Sequence, residues 1–360
     1  MQPNGYTLAR LGWDPAWAAS FESLAVGSAR PGRIAVQHRG SYVVATERGD
    51  VWAHVPGRSL HLARDGSDLP VVGDWVALTG GDAGDSALIS AILPRRSCLE
   101  RKEAWEATKV QVIAANVDWI FITTALDGDL NLRRIERYLT TAWASGAQPA
   151  IVLTKADLHP DPEAVPREVG RVATGVPIHV TSCVGGRGID ELAAYATDGT
   201  TVALLGSSGV GKSTLVNHLV GKEVQETREV REDGKGRHTT ARKELLATPQ
   251  GGVLLDTPGM RELQLWSVDD GLSETFQDVA TLAESCRFRD CSHESEPGCA
   301  VLEAVASGTL ERARVDSWRK LQRELDHLQR KQDKRAAAEA SKVWRARQRR
   351  QRRVDKHGLW

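Results

Sequence analysis

Gly206-Ser207-Ser208-Gly209-Val210-Gly211-Lys212-Ser213-Thr214 is the stretch that decides the fold. Its Gly-x-x-x-x-Gly-Lys-Ser spacing is that of a phosphate-binding loop, in which glycines let the backbone wrap closely around phosphate and turn several N–H groups inward. In that pattern Lys212 reaches the β- and γ-phosphates of a nucleotide and the Ser213 hydroxyl ligates Mg²⁺. The flanks agree. Thr201-Val202-Ala203-Leu204-Leu205 reads as a buried strand entering the loop, and Leu215-Val216-Asn217-His218-Leu219 as the helix leaving it. A helix N-terminus there favours anions. The plain alternative is a Gly/Ser-rich turn, but strand, loop and helix all sit where phosphate binding needs them.

The loop alone does not choose between adenine and guanine. Thr154-Lys155-Ala156-Asp157 does, following the apolar run Ala150-Ile151-Val152-Leu153. It therefore falls at the carboxyl end of a strand, where open α/β sheets bind ligands. A carboxylate at Asp157 can accept both guanine N1–H and the exocyclic amine; adenine would leave it unpaired, which is costly. The stem of Lys155 packs on the base. The usual first residue of such a motif is Asn, and here it is Thr154. A further strand, Val176 to Val180, ends in Thr181-Ser182-Cys183, where a backbone N–H can meet guanine O6. Cys183 as a small buried residue is an equal alternative. The base-reading motif precedes the phosphate loop, the reverse of the usual GTPase order. The chain thus reads as a circularly permuted GTPase.

Downstream, Gly252-Val253-Leu254-Leu255 leads into Asp256-Thr257-Pro258-Gly259. Asp256 is expected to hold Mg²⁺ through water and the Gly259 N–H to sense the γ-phosphate. Met260 stands where Ras-like enzymes carry a water-orienting Gln, and a thioether cannot orient water. Gly236-Arg237-His238-Thr239-Thr240 lies between the phosphate loop and Asp256, in the position of a first switch. Thr240, or else Thr239, is expected on Mg²⁺, and His238 is the candidate water-orienting group. A solvent-exposed loop histidine is the alternative. Gly209 stands where K⁺-activated GTPases often carry Asn, so the loop does not support K⁺ dependence.

The flanks differ in kind. At 360 residues the chain is long enough for two or three domains. Residues 33–92 hold short strands separated by Gly-containing turns: Arg33–Gln37, Ser41–Ala45, Val51–Val55, Val71–Leu78 and Ser86–Ile92. Five such strands suggest a small barrel of the OB type, a fold that often binds nucleic acid. A purely structural β domain is the alternative. From Val117 the period changes to strand–helix alternation, expected as a doubly wound parallel sheet. Its members include a strand over Val117–Thr124 and a helix near 131–145.

After the permuted GTPase comes Cys286-x4-Cys291-x-His293-x5-Cys299. Three thiolates and an imidazole make a closed tetrahedral zinc set, structural rather than catalytic because no ligand position is left open. Residues beyond 310 read as helix, with Leu321, Leu325 and Leu328 at helical spacing. Between 310 and 360 stand 17 Lys and Arg against 7 Asp and Glu, about +10 in a chain whose net charge is zero. Such a basic segment suits phosphate-backbone attraction. A solvated tail is the plain reading, and it lacks the apolar face a membrane surface would need. Few cysteines, no leader-like segment and no apolar stretch of bilayer length lead to the expectation of a cytoplasmic protein without a membrane partner.

Together these segments resemble the ribosome small-subunit-dependent GTPase A family, RsgA. The stretches that carry the resemblance are Pro70–Val76, Ala114–Asp118, Thr154–Asp157, Gly206–Thr214, Gly236–Thr240, Asp256–Gly259 and Cys286–Cys299. It covers roughly residues 30–330. It implies an N-terminal extension over 1–30, an OB-fold over 31–110, a circularly permuted GTPase domain over 111–270, a helical zinc-binding domain over 271–335 and a basic tail over 336–360. It further implies a GTP hydrolase with GTP, Mg²⁺ and one structural Zn²⁺, acting as a monomer in late assembly of the small (30S) ribosomal subunit. Its partners would be that subunit and its rRNA, its hydrolysis would be slow until the subunit stimulates it, and His238 would be the hydrolysis residue. Two rivals remain at this stage: a nucleotide-gated RNA-binding protein in which hydrolysis is incidental, and a GTPase serving another ribosomal or tRNA target.

Overall fold

The computed structural model describes residues 7–24, 27–63, 66–81, 85–102, 110–221, 243–256 and 269–331. After a 3-10 turn over Ala9–Leu11 comes the helix α1 (Pro15–Ser23); Asp14 caps it by accepting the Trp17 N–H at 2.8 Å. Strands β1 (Arg30–Gln37), β2 (Tyr42–Thr46) and β3 (Gly49–His54) follow as a meander. After the short helix α2 (Gly57–Leu62) come β4 (Trp75–Gly80) and β5 (Ala87–Ile92). The order β1-β2-β3-β5-β4, with β4 returning to β1, closes a five-stranded barrel of the OB type.

The strand expected from Val71 begins only at Trp75. Residues 71–74 form a turn instead, closed by the Asp74 carboxylate on the Val71 N–H at 2.8 Å. Gly73 sits at φ +92 there, and a Cβ on it would lie 2.1 Å from the Ala115 carbonyl oxygen. Only glycine lets the turn approach the next segment so closely.

A hairpin, β6 (Cys98–Lys102) and β7 (Val110–Ala115), leads out of the barrel. Then strands and helices alternate: β8 (Trp119–Ala125), α3 (Leu132–Ala144), β9 (Gln148–Thr154), α4 (Val165–Gly170), β10 (Ile178–Val180), α5 (Ile189–Ala193), β11 (Thr201–Gly206) and α6 (Lys212–Val220). Two further strands, β12 (Lys243–Ala247) and β13 (Val253–Asp256), complete the sheet in the order β10-β9-β8-β11-β13-β12. All neighbours are parallel except β12 on β13. Alternate residues face opposite layers. Ala203 and Leu205 of β11 pack with α3 and α4 residues such as Ile135, Leu139 and Val169. Val202 and Leu204 pack with Leu192 of α5 and Leu215 and Leu219 of α6. The result is helices on both faces of a buried sheet.

Barrel and sheet are continuous. A bulge between Ile34 and Val36 bends β1. Its first half pairs with β4 (Arg30 to Arg33), and its end pairs with β12 (Val36 with Glu244, Gln37 with Lys243). The described residues continue through α7 (Asp269–Thr275), α8 (Gln277–Ala283), α9 (Ala300–Ala306) and a helix over 312–331, which share a core around Phe276, Val279, Val301 and Val315. Among the described residues no helix is long and apolar enough to cross a membrane.

Candidate nucleotide and metal sites

β11 is the central strand, flanked by β8 on one side and β13 on the other. The chain runs outward through β8, β9 and β10, then returns to the middle, and β13 lies on the opposite flank. β11 therefore stands at the switch point of the sheet, where such sheets bind ligands outside their carboxyl ends. Thr154–Asp157 follows β9, Thr181–Cys183 follows β10, Gly206–Thr214 follows β11 and Asp256 ends β13. Four segments from distant parts of the chain thus meet at one edge.

The phosphate loop is built as its glycines require. A Cβ on Gly206 would lie 2.2 Å from the Thr123 carbonyl oxygen on neighbouring β8. Gly209 (φ +81) and Gly211 (φ +95) turn the backbone through the left-handed region. Gly211 is the N-cap of α6 and brings no side-chain cap, so the first N–H groups of the helix face the loop mouth. The Lys212 ammonium donates to the carbonyls of Gly206 (2.7 Å) and Ser207, which holds it across the loop. Ser207, Ser208, Val210, Ser213 and Thr214 complete the turn into α6; Val210 is buried and the three polar residues after Gly211 are partly exposed.

The Thr154–Asp157 segment is tied to this loop. The Thr154 hydroxyl donates to the Val210 carbonyl at 2.6 Å, so one oxygen replaces the supporting amide of the usual Asn. Lys155 adopts a left-handed backbone (φ +56) and its ammonium pairs with Asp127, in the turn between β8 and α3. The Ala156 N–H donates to Thr181 O at 3.0 Å, joining the two base-side segments. Ser182 donates its hydroxyl to Asp157 Oδ1 and so fixes the carboxylate. The N–H groups of Thr181 and Ser182 are spent on Leu153 O (2.8 Å) and Arg187 O (3.1 Å). The Cys183 thiol is pushed up by burial, and next by the Asp157 charge, so it stays neutral beside the carboxylate. Asp256 is placed by its backbone only. His238, Thr239, Thr240, Gly259, Met260 and the tail from 332 lie outside the described residues.

In the C-terminal domain Cys286, Cys291, His293 and Cys299 bring one ligand atom each to within 4.8 Å of one another. Cys286 Sγ lies 3.9 Å from Cys299 Sγ and 3.5 Å from His293 Nδ1; His293 Nδ1 lies 3.3 Å from Cys299 Sγ. Tetrahedral zinc with ~2.3 Å bonds to sulfur and ~2.0 Å to nitrogen has edges of about 3.8 Å between sulfurs and about 3.5 Å between sulfur and nitrogen. The donor set fits that ion in both chemistry and spacing. His293 is buried with a left-handed backbone (φ +54) and meets the Trp318 ring at 5.3 Å. Burial holds its imidazole below the usual histidine range, in the neutral form that ligates metal.

Sequence reasoning missed the node that joins this domain to the sheet. Glu136 of α3 is fully buried and pairs with Arg314 at 2.9 Å. Arg314 also donates to Asp278 (2.9 Å) and to the carbonyls of Thr275 (2.7 Å) and Val172 (3.3 Å). Ser317 donates to the second Glu136 oxygen at 2.5 Å. The only signal available was a Glu on the apolar side of α3, which a sequence reader passes over as a surface charge.

A sheet with a phosphate loop at its switch point, a carboxylate at the base-reading turn and the two in reversed chain order defines a circularly permuted P-loop GTPase. A family model described as RsgA GTPase matches residues 92–266, and a second described as 50S ribosome-binding GTPase matches residues 201–336. A relative from Opitutus terrae, "Small ribosomal subunit biogenesis GTPase RsgA", is 47% identical over 91% of this chain and 92% of its own length. A crystal structure of YjeQ from Thermotoga maritima superimposes with a TM-score of 0.63 at 27% identity, covering 82% of this chain and 98% of that one. YloQ, described as a circularly permuted GTPase, shares the fold at a TM-score of 0.61 and 23% identity, over 83% of this chain and 96% of that one. The chain belongs to the RsgA GTPase family.

Proposed function

We propose that this GTPase acts in biogenesis of the small ribosomal subunit, binding its rRNA with GTP bound and leaving after hydrolysis. The observation that carries the reading is the convergence of both guanine and phosphate segments on one sheet edge, in a chain that matches a relative of that name over 91% of its length. The name of the second family model points to the large subunit. It matches only residues 201–336, from the phosphate loop to the zinc domain, whereas the relatives match barrel, sheet and zinc domain alike, so we favour the small subunit.

In this reading Gly206–Thr214 cradles the phosphates, and Ser213 with Thr240 holds Mg²⁺, backed by Asp256. Asp157 reads the guanine edge, Lys155 covers the base, and the Cys183 N–H meets O6, since its two predecessors are already engaged. His238 orients water where Met260 cannot. Cys286, Cys291, His293 and Cys299 hold Zn²⁺, which supplies a structural cross-link and no chemistry. The domain division is that expected from the sequence, with a cytoplasmic monomer. Two exposed aromatic sites suit RNA bases: Trp52 on the barrel, 5.1 Å from the His38 ring, and Phe288 on the zinc loop, beside the Arg287 guanidinium.

GTP turnover measured alone, with purified small subunits and with large subunits tests the reading, with ATP as control. Stimulation by small subunits alone is expected, and Lys212→Ala should abolish it. Equal stimulation by large subunits, or none by either, would overturn the assignment. Metal analysis should find one zinc per chain, lost in Cys291→Ser.

A further inference from the structure

Arg314 is 4% exposed, yet its guanidinium serves four segments at once. It pairs with Glu136 on α3, reaches Val172 O just beyond α4, bonds Thr275 O at the end of α7, and binds both oxygens of Asp278 on α8. The Phe276 ring lies 4.4 Å beneath it. Burial alone would lower its pKa; the bonds to Asp278 and Glu136 more than reverse that, so the charge is held. Glu136 also pairs with Arg133 at 2.8 Å, but Arg314 has its acceptors only within this buried node, so a rotation that broke them would strand its charge away from water. Gly271 adds a second lock: a Cβ there would lie 2.4 Å from Thr140 O of α3. The zinc domain and α3 therefore move as one body.

The N-terminal end of α3, about one turn before Glu136, touches the guanine side. The turn leading into it donates from the Leu126 N–H to Thr154 O at 2.9 Å and pairs Asp127 with Lys155. Arg134, in the first turn of α3, pairs at 2.7 Å with Asp129 in the connection between β8 and α3. A displacement of α3 reaches Lys155 and Thr154 through these bonds. Among the described residues no hydrogen bond joins Asp127 to Glu136.

We propose that Glu136 and Arg314 are positioning residues through which the zinc domain sets how long the base-reading segment holds guanine nucleotide. The proposal rests on the base-reading role of Lys155 and Asp157. A partner that grips the zinc domain thereby controls nucleotide release, separately from the hydrolysis that the phosphate side performs.

The test is release of a fluorescent GDP analogue from the full zinc-loaded chain, followed by stopped flow. Glu136→Gln should speed release by about 5-fold or more, the lower bound of ordinary allosteric coupling. Ser317→Ala, which removes one bond from Glu136 and keeps both charges, should speed it in the same direction and serves if Glu136→Gln folds poorly. Asp127→Asn should also speed release. Combined with Glu136→Gln or Ser317→Ala it should fall short of the product of the single effects by roughly threefold or more, since uncoupled distant sites simply multiply. Melting temperature and zinc content report any merely structural damage, which would not generate that shortfall. Multiplicative effects, or unchanged release in folded variants, overturn the coupling. Asp157→Asn is the control: if it leaves GDP affinity untouched, the base-site assignment itself falls.

Discussion

The nucleotide edge of the sheet and the domain junctions are held together in opposite ways. The edge is built mainly from backbone: glycines at 206, 209 and 211, helix N–H groups and short loop-to-loop bonds. At the junctions, single long side chains reach across the chain. Arg33 is 2% exposed and donates to Leu11 O, Gly73 O (3.1 Å) and Asn116 O (2.9 Å), over the Trp75 ring at 5.4 Å. One guanidinium thus joins the N-terminal extension, the barrel and the start of the sheet. Backbone sites leave a compact sequence pattern because contiguous residues must adopt a fixed path. Junction residues leave none, since any long donor at the right point in space would serve.

Arg33→Ala is the sharpest way to break this contrast. It orphans three buried carbonyls and opens a void, so we expect a loss of about 3–5 kcal/mol in denaturant titration. Arg33→Lys keeps a charge but loses the fork, and should fall between. Burial brings the Arg33 pKa down to about 10, so the group stays charged at neutral pH and the loss should not vary between pH 6 and 8. A stability change below ~1 kcal/mol, within the range of an ordinary surface substitution, would show that the junction is held elsewhere.

The same contrast explains what could be read in advance. Strands β8, β9, β11 and β13 fall within about two residues of the apolar runs that announced them, and the phosphate loop and the clustering of Cys286, Cys291, His293 and Cys299 were readable from spacing alone. The late start of β4 was not, because Val71 and Val72 look like strand residues until Ala115 O is known to press on Gly73. Nor was the pairing of β1 with β12, more than two hundred residues apart, which turns barrel and sheet into one surface. Glu136 could not be recognised as buried without Arg314, 178 positions away. Non-local partners carry no periodicity, so they escape pattern reading.

Thr154→Val probes the backbone-held side, where a smaller effect is expected. The substitution keeps the shape and deletes the hydroxyl that meets Val210 O. Removing one bond and leaving a buried carbonyl unpaired costs about 1–3 kcal/mol. The cost should surface as roughly 5- to 100-fold weaker GTP binding. The melting temperature should shift less than in Arg33→Ala, as the loop path is set by its glycines. Unchanged affinity would mean that the base-side and phosphate-side segments are held independently.

The smallest effect belongs to the ion pair at the edge of the extension. Arg96 grips Asp14 through two nitrogens at 2.6 and 2.8 Å and lies over the Trp17 ring at 4.1 Å. Hydrogen bonding from Arg96, chiefly, with help from the Trp17 N–H, brings the Asp14 carboxyl down to about 2. A carboxylate depressed in the folded state stabilises above its unfolded value, near 3.9, and loses that contribution as pH falls toward 2. Both side chains are more than a third exposed, so solvent screening limits the pair to less than ~1 kcal/mol. The stability advantage of the wild type over Asp14→Asn should therefore be constant from pH 7 to 5 and shrink below pH 4. Added salt should reduce it further, as exposed charges are screened. An advantage of several kcal/mol, or one that grows in acid, would place this pair among the buried junction residues with Arg33 and erase the distinction between a rim contact and a structural pin.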